Sequence, residues 1–151
     1  MKEGSKDFVT IRLAGQLLGI PVLLVQDVIR LQNMTRVPLS PPWVAGVLNL
    51  RGRIVTAIDL RERLGMAKRR EGEKAAMSVV VDFKGESYSL IIDSVGEVLS
   101  LPDALFEKNP VTLDQRWREV SDGIYRLDDE LLVVLDVRRV LDLDPAAAAA
   151  A

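Results

Sequence analysis

The sequence predicts a mostly β protein: two small five-stranded barrels from an internal duplication, with short helices, packed on a shared hydrophobic core. Two observations predict this class. Short segments of alternating apolar and polar residues are separated by glycine turns, as in small barrels whose closure leaves no exposed edge strand. The pattern of the first half of the chain then returns in the second half at a constant offset.

The first strands are predicted between residues 9 and 31. Val9, Ile11 and Leu13 alternate with polar residues, which indicates a strand with one buried face. A glycine at position 15 allows the positive φ of a tight turn. The segment 17–31 is rich in Val, Leu and Ile, and Pro21 disfavours a helix there. We therefore predict a strand, a bend and a second strand.

A short helix is predicted to begin at Ser40, which would be its N-cap with proline in the first turn. The apolar residues that follow at helical spacing are Trp43, Val44, Val47 and Leu48. Residues 49–53 are predicted to form a turn between this helix and the next strand.

The segment 54–60 predicts a buried strand. Asp59, with Glu62 three residues later, is typical of a helix start, and Gly65 is expected to end that helix. The charged segment 67–76 predicts a solvated linker.

The duplication is visible as matched residues in the two halves. The pairs at an offset of 70 are Val9/Val79, Ile11/Val81, Leu13/Phe83, Gly15/Gly85, Ile20/Leu90, Val22/Ile92, Val25/Val95, Asp27/Glu97, Val28/Val98 and Leu31/Leu101. Further on the offset is 77, and residues 58–61 match residues 135–138. The extra residues lie in the stretch that contains Trp117. The strand at 131–135 is apolar on both sides and is expected near the shared core.

The composition excludes several classes of function. The 151 residues include no cysteine and no histidine, which excludes disulfides, thiolate chemistry, histidine-dependent triads and most zinc sites. The net charge of −2 is spread over mixed charges, so a small-barrel nucleic-acid binder, which needs a basic face, is a disfavoured alternative. No phosphate-binding or calcium-binding loop is recognisable, and we expect no catalytic residue, cofactor or metal.

Location in the cell follows from what the chain lacks. No apolar run reaches the ~18 residues of a membrane span, and residues 1–7 carry no signal-peptide core. We therefore expect a cytoplasmic protein without direct membrane insertion. A proline and six alanines form the tail 145–151, which we expect to be disordered or added during cloning.

Two positions are candidates for function on local grounds. Asp93 lies in an apolar context that can raise a carboxyl pKa, although a strand-end carboxylate accepting backbone hydrogen bonds is the preferred interpretation. Arg51 precedes a glycine in a turn, so its guanidinium can form a bidentate pair with a carboxylate of a partner. The alternative for Arg51 is an ordinary solvent-facing turn residue.

Two matched apolar rows are further candidates. They consist of Val25, Val28 and Leu31 in the first half and of Val95, Val98 and Leu101 in the second half. A groove at the junction of the two halves would accept the apolar stripe of a partner helix. The alternative is that both rows are simply core.

Six segments together resemble the CheW family, the coupling proteins of bacterial chemotaxis. They are residues 8–13 (FVTIRL) with Gly15, residues 19–20, 25–28 and 35–38, residues 46–54 (GVLNLRGRI) with Asp59 and Leu60, and residues 92–99 (IDSVGEVL). The resemblance covers residues 7–143 as a single domain. It implies two SH3-like barrels, with subdomains at about 14–76 and 77–136 and terminal segments completing them.

The resemblance also implies a function. Members of the family are non-enzymatic adaptors that couple the cytoplasmic tips of methyl-accepting chemotaxis receptors to the regulatory domain of the histidine kinase CheA. They are recruited to membrane-associated arrays, where CheW–CheW ring contacts are also possible. A CheW-like adaptor of a non-motility signalling array is the alternative.

Individual residues take roles from this resemblance. Arg51 matches the arginine of the family's N-L-R-G segment, and Val25, Asp27 and Gly46 match receptor-contact positions. The predicted partner-binding residues are Val25, Asp27, Val28, Gly46, Asn49, Arg51, Gly52, Val95 and Val98. Asp27 stands where glutamate is common, which shortens the reach of the carboxylate, and Ser89 stands where glycine is frequent.

Overall fold

The computed structural model describes residues 4–30, 33–67 and 77–141. The strands in these ranges are β1 (Ser5–Leu13), β2 (Gln16–Pro21), β3 (Val25–Arg30), β4 (Val44–Leu50), β5 (Arg53–Asp59), β6 (Met77–Phe83), β7 (Glu86–Ile92), β8 (Ser94–Pro102), β9 (Ser121–Arg126) and β10 (Leu131–Leu135). The helices are α1 (Leu60–Arg63), α2 (Gln115–Glu119) and α3 (Val137–Leu141), with 3-10 turns at Val22–Leu24 and Asp103–Leu105. Leu31, nearly all of the predicted linker and the alanine tail lie outside the described residues.

The strands form two five-stranded sheets. Sheet A has the order β8-β1-β2-β10-β9, and sheet B has the order β3-β6-β7-β5-β4. Neighbours are antiparallel except for the parallel pairs β2–β10 and β5–β7. The predicted fold class is confirmed. The two sheets also have equivalent strand orders, because β1 and β2 of sheet A correspond to β6 and β7 of sheet B, and β8, β9 and β10 correspond to β3, β4 and β5.

Each sheet takes strands from both halves of the chain. The hairpin β1–β2 of the first half lies on β8, β9 and β10 of the second half, and the hairpin β6–β7 lies on β3, β4 and β5 of the first. The crossings occur at the Val22–Leu24 turn and at Asp93, between β7 and β8. The expected division into segments of about 14–76 and 77–136 therefore does not follow the sheets, because each sheet needs strands from both segments.

The buried apolar residues of the described ranges form three clusters, of which the largest joins the two sheets. The largest contains buried residues of both sheets, among them Ile11, Leu18, Ile58, Leu90 and Val133. Sheet A covers a second cluster with its other face, and sheet B covers a third. This arrangement confirms the shared core. It also explains why β10 is apolar on both sides, since its alternate residues enter the first and the second cluster.

Three hairpins of the described ranges have two-residue turns. Their first turn residues are Ala14, Arg51 and Lys84, with φ of 50°, 54° and 51°, and each is followed by a glycine at positive φ. Positive φ at both positions defines the turn whose twist matches that of the flanking strands. The predicted turn at Gly15 is confirmed, and the predicted turn at 49–53 is narrower, comprising only Arg51 and Gly52.

The predicted helix from Ser40 is wrong, since this segment leads into strand β4. Strand β4 pairs with β5 from Val44 to Leu50, with a register shift between Val44 and Gly46. Such a bulge adds one residue to one strand and shifts the alternation of its side chains. The resulting spacing of apolar residues imitates a helical period, which is why the pattern was misleading.

The other local predictions have mixed outcomes. Helix α1 begins where predicted: the Asp59 side chain accepts a hydrogen bond from the Arg61 backbone N at 3.0 Å, and Gly65 follows the helix at a φ of 69°. The bend in the segment 17–31 is confirmed as a 3-10 turn. Helix α2 was not predicted; it lies in the extra residues of the second half and buries Trp117 in the largest cluster.

Candidate partner-binding site

The hairpin tip between β4 and β5 presents the predicted arginine. Arg51 and Gly52 are the two turn residues, and the Asn49 side-chain oxygen accepts a hydrogen bond from the Gly52 backbone N at 3.0 Å. Asn49 therefore shapes the turn, and Gly52 supplies a φ of 84°. Arg51 itself has 76% of its side chain exposed, so its guanidinium is accessible to a partner.

An ion pair joins this tip to strand β3. Arg51 Nη1 lies 2.9 Å from Asp27 Oδ2. Asp27 stands at the bulge of β3 and is only 24% exposed, and its Oδ1 accepts a hydrogen bond from the Val28 backbone N at 2.9 Å. Two of the predicted site residues, 24 positions apart, are thus brought into contact. The carboxylate is fixed by its own strand and holds one side of an otherwise exposed guanidinium.

A small depression lies behind this ion pair. Its volume is about 120 Å³, and Arg53, Val80 and Ser87 contribute to its lining together with the ion pair. The Arg53 Nη2 donates a hydrogen bond to the Ser87 hydroxyl at 2.6 Å. The tip therefore carries two arginines, each held on a polar group of the sheet.

The duplication provides an internal comparison for this site. The counterparts of Asp27 and Arg51 in sheet A are Glu97 and Asp128, both acidic. The same two positions therefore carry no ion pair in sheet A. The duplicated fold alone does not require the Arg51–Asp27 contact, so the contact distinguishes the tip of sheet B.

Gly46 has a structural role at this edge of sheet B. It is buried at the bulge of β4, and a Cβ there would lie 2.7 Å from the Thr35 carbonyl oxygen. Thr35 and Val47 exchange two backbone hydrogen bonds of 2.8 Å across this point. The glycine allows the segment before β4 to lie against the strand.

The two predicted apolar rows lie on different sheets. Val25, Val28 and Val95 are partly buried and pack against the largest cluster, which favours the core interpretation for them. Val98 differs, since it is 58% exposed. Strands β3 and β8 are edge strands of sheet B and sheet A, so the rows do not share one strand pair.

An apolar depression beside the Val22–Leu24 turn was not predicted. It has a volume of about 860 Å³, and Leu23 and Leu24 line it together with Asp7 and Ser100. Leu23 is 94% exposed and Leu24 is 38% exposed. The sequence signal was present as three apolar residues after Pro21, because a proline cannot donate a hydrogen bond to a sheet and so favours the end of the strand.

Asp93 is part of a structural ion pair. Its two carboxylate oxygens accept hydrogen bonds from Arg61 Nη2 and Nε at 2.6 and 3.1 Å, and Oδ2 also accepts one from the Ala14 backbone N at 2.7 Å. This contact joins helix α1 to the β1–β2 turn at the crossing between the sheets. The preferred interpretation of Asp93, a carboxylate that accepts backbone hydrogen bonds, is confirmed.

Two carboxylates, Asp122 and Asp136, lie close together near helix α3. Asp136 is buried and its Oδ1 accepts a hydrogen bond from the Arg138 backbone N at 3.0 Å, while Arg139 lies 3.7 Å from Asp122. Partial burial, followed by the nearby negative charge of Asp136, raises the pKa of Asp122.

We expect Asp122→Asn to raise the melting temperature at neutral pH. A raised carboxyl pKa means that the folded state favours the protonated form. The contribution of Asp122 to stability is therefore full below its unfolded pKa of about 4 and is lost as the pH rises through the folded value. The gain from Asp122→Asn should thus shrink as the pH is lowered toward 4. Melting curves across this range test it, with exposed Asp128→Asn as the control.

Neither a cluster of metal ligands nor a membrane-spanning helix is found in the described part of the chain. Across residues 4–30, 33–67 and 77–141, no three acidic side chains are grouped as metal ligands would be. Within the same ranges, no helix combines the length and the apolar composition needed to cross a membrane.

The comparisons with known proteins agree with this architecture. A CheW-like domain model matches residues 7–144. The chemotaxis protein CheW of Klebsiella aerogenes is 28% identical over 143 residues, covering 95% of this chain and 86% of that protein. The chemotaxis protein CheW of Bacillus subtilis is 26% identical over 149 residues, covering 99% of this chain and 94% of that protein.

Similarity extends to a solved structure. The crystal structure of the scaffolding protein TtCheW from Thermoanaerobacter tengcongensis matches with a TM-score of 0.81 at 28% identity, covering 93% of this chain and 95% of that one. The paired sheets and these relatives define the class of protein as a chemotaxis scaffold. The chain belongs to the CheW family, as the match over residues 7–144 shows.

Proposed function

We propose that this protein is a non-enzymatic adaptor that couples the cytoplasmic tips of chemoreceptors to the regulatory domain of a CheA-type histidine kinase. Membership of the CheW family supports the proposal at the level of the pathway. The observation that carries it at the level of the site is the exposed Arg51, held by Asp27 at the tip of sheet B.

The tip of sheet B is suited to hold a partner carboxylate. A guanidinium carries five N–H donors in a rigid fork, and one nitrogen of Arg51 already lies against Asp27. The fixed carboxylate orients the fork before binding, so less side-chain entropy is lost when a partner binds. A partner with an acidic residue beside an apolar contact fits this tip, with Leu50 and Val55 supplying the apolar floor.

The apolar depression beside the Val22–Leu24 turn is suited to a receptor helix. Leu23 and Leu24 offer exposed apolar surface there. Val98 lies two residues from Ser100 along β8, and residues two apart share a face of the strand, so the apolar surface continues to Val98. An amphipathic helix would place its apolar stripe on this surface.

Location and assembly follow from the same proposal. The adaptor would act in the cytoplasm and be recruited to membrane-associated receptor arrays through its partners. Contacts between copies in rings would then use the remaining edges of the sheets.

Binding measurements with both partners test the proposed function. Isothermal titration of the full chain with a cognate kinase regulatory domain, and separately with a helical receptor tip, should give saturable binding in each case. Failure to bind either partner would contradict the proposal. Binding to RNA that weakens steeply with added salt would instead support the nucleic-acid alternative.

A further inference from the structure

The exchange of hairpins between the halves creates a problem of specificity. The hairpins β1–β2 and β6–β7 are equivalent in the duplication, and so are the three-strand units β8–β10 and β3–β5. Either hairpin therefore has the topology to complete either sheet. An alternative arrangement exists in which each half of the chain completes its sheet with its own hairpin, and the sequence must disfavour it.

One pair of equivalent positions carries opposite charges in the two sheets. In sheet A, Arg12 donates two hydrogen bonds to Glu130, of 2.6 and 2.7 Å. In sheet B, Arg53 Nη2 lies 3.7 Å from Asp82 Oδ1, and the Ser87 hydroxyl, which accepts from Arg53, donates to Asp82 at 2.8 Å. Arg12 is the counterpart of Asp82, and Glu130 is the counterpart of Arg53. The two sites therefore occupy equivalent positions with the signs reversed, although the contact is direct in sheet A and bridged by the Ser87 hydroxyl in sheet B.

This reversal distinguishes the two arrangements. In the observed arrangement, a positive residue faces a negative residue at both sites. If each half used its own hairpin, Arg12 would face Arg53 and Asp82 would face Glu130. Both sites would then bring like charges together across the intervening strand, β2 in sheet A and β7 in sheet B, and like charges at such short distances repel.

The packing of the first hairpin against sheet A favours the same assignment. Phe8 of β1 is buried and its ring packs edge-on against Tyr125 of β9, with centroids 5.6 Å apart. The counterparts are Ser78 in the second hairpin and Leu48 in sheet B. Placing Ser78 beside Tyr125 would leave a cavity where the phenyl ring lies, and cavities of this kind cost stability.

A glycine gives an independent indication at the next strand. A Cβ at Gly19 of β2 would lie 2.8 Å from Leu132 Cδ2 of β10. The counterpart of Gly19 in the second hairpin is Ser89, one of the departures noted in the sequence. The second hairpin would therefore place a side chain against Leu132, and the end of the leucine side chain would have to shift to admit it.

We propose that these residues form a pairing code that assigns each hairpin to the three strands of the other half. The observed arrangement is favoured in two ways. Opposite charges meet at Arg12–Glu130 and at Asp82–Arg53, and the side chains at Phe8 and Gly19 fit sheet A. The code is a specificity device against a self-contained fold of either half. It thereby holds the Arg51 tip of sheet B and the apolar depression of sheet A in one fixed arrangement.

A charge exchange tests the code. The double variant Arg12→Asp with Asp82→Arg places like charges at both sites of the observed arrangement, and we expect it to lower the melting temperature by about 5 °C or more. Adding Arg53→Glu and Glu130→Arg restores opposite charges at both sites. We expect this fourfold variant to regain at least half of the lost melting temperature. If the double variant does not fold, we expect the fourfold variant to fold. No recovery would overturn the proposal.

Introduced cysteines report which arrangement forms, because the chain has no cysteine of its own. Asp7 lies opposite Ser100 in sheet A, and Arg30 is the counterpart of Ser100 in sheet B. Cysteines at 7 and 100 should form a disulfide with unchanged charges, and cysteines at 7 and 30 should crosslink to a larger fraction in the double variant than with unchanged charges. If the fraction crosslinked between 7 and 30 is the same in both, the charge part of the code is refuted.

Discussion

Arg51→Glu is expected to weaken binding of the kinase regulatory domain at least about tenfold, which corresponds to about 1.4 kcal/mol. The substitution reverses the charge of a side chain that is 76% exposed and removes the cation from Asp27. Ion pairs at this exposure contribute roughly 0–1 kcal/mol to stability, so the melting temperature should fall by only a few degrees. Titration calorimetry and a melting curve on the same preparation measure both effects.

Two further variants isolate the role of the guanidinium. Lys84→Glu makes the same charge reversal at the same turn position of the β6–β7 hairpin, where Gly85 follows, and it should leave binding unchanged. The second is Asp27→Asn combined with Arg51→Glu, which removes the like-charge contact and should recover stability without recovering binding. If Lys84→Glu weakens binding as much as Arg51→Glu does, the effect is one of general charge. If Arg51→Glu lowers the melting temperature as much as a core substitution does, Arg51 is a structural residue.

Gly46→Ala is expected to destabilise the protein by about 3 kcal/mol, in the range of overpacked interiors. The new methyl group would lie 2.7 Å from the Thr35 carbonyl oxygen, and that oxygen cannot move without breaking the hydrogen bonds between Thr35 and Val47. Chemical denaturation measures the loss. Partner binding should weaken as well, and binding should return in proportion to the folded fraction when the temperature is lowered.

Gly52→Ala is the matched control for this substitution. Gly52 also has a positive φ, but a Cβ there would have no atom within 4 Å. Only backbone strain remains, which costs about 1–2 kcal/mol. If Gly52→Ala is as destabilising as Gly46→Ala, the contact with Thr35 is not the cause. If Gly46→Ala is fully folded and still does not bind, Gly46 touches the partner directly.

Much of the fold follows from local patterns in the sequence. Alternation at Val9, Ile11 and Leu13 marks a strand, and the offset of 70 finds the same strand again at Val79. These inferences succeed because a half-buried strand repeats every two residues. The same reasoning failed at Val44–Leu50, where a bulge changes the period within one strand.

The candidate site was predictable only in part. Arg51 could be recognised from its turn, but its contact with Asp27 depends on how β3 and the β4–β5 hairpin meet in sheet B. The exchange of hairpins was not visible in the repeat, because a matched offset is the same whichever half supplies the hairpin. The opposite charges of Arg12 and Asp82 were present in the sequence, but their role in strand pairing can be inferred only once the residues that they contact are known.

The parallel pairings β2–β10 and β5–β7 also determine when the protein can fold during its synthesis. Strand β1 pairs with β8 and strand β2 with β10, so sheet A is incomplete until residue 135 has left the ribosome. Strands β3 to β5 likewise lack the β6–β7 hairpin that completes sheet B until β7 emerges. At ordinary translation rates the interval between the end of β5 and the end of β10 lasts roughly 4–15 s. During that interval the nascent first half presents strand edges and apolar faces whose partners in the second half have not yet been made, which exposes the growing chain to aggregation.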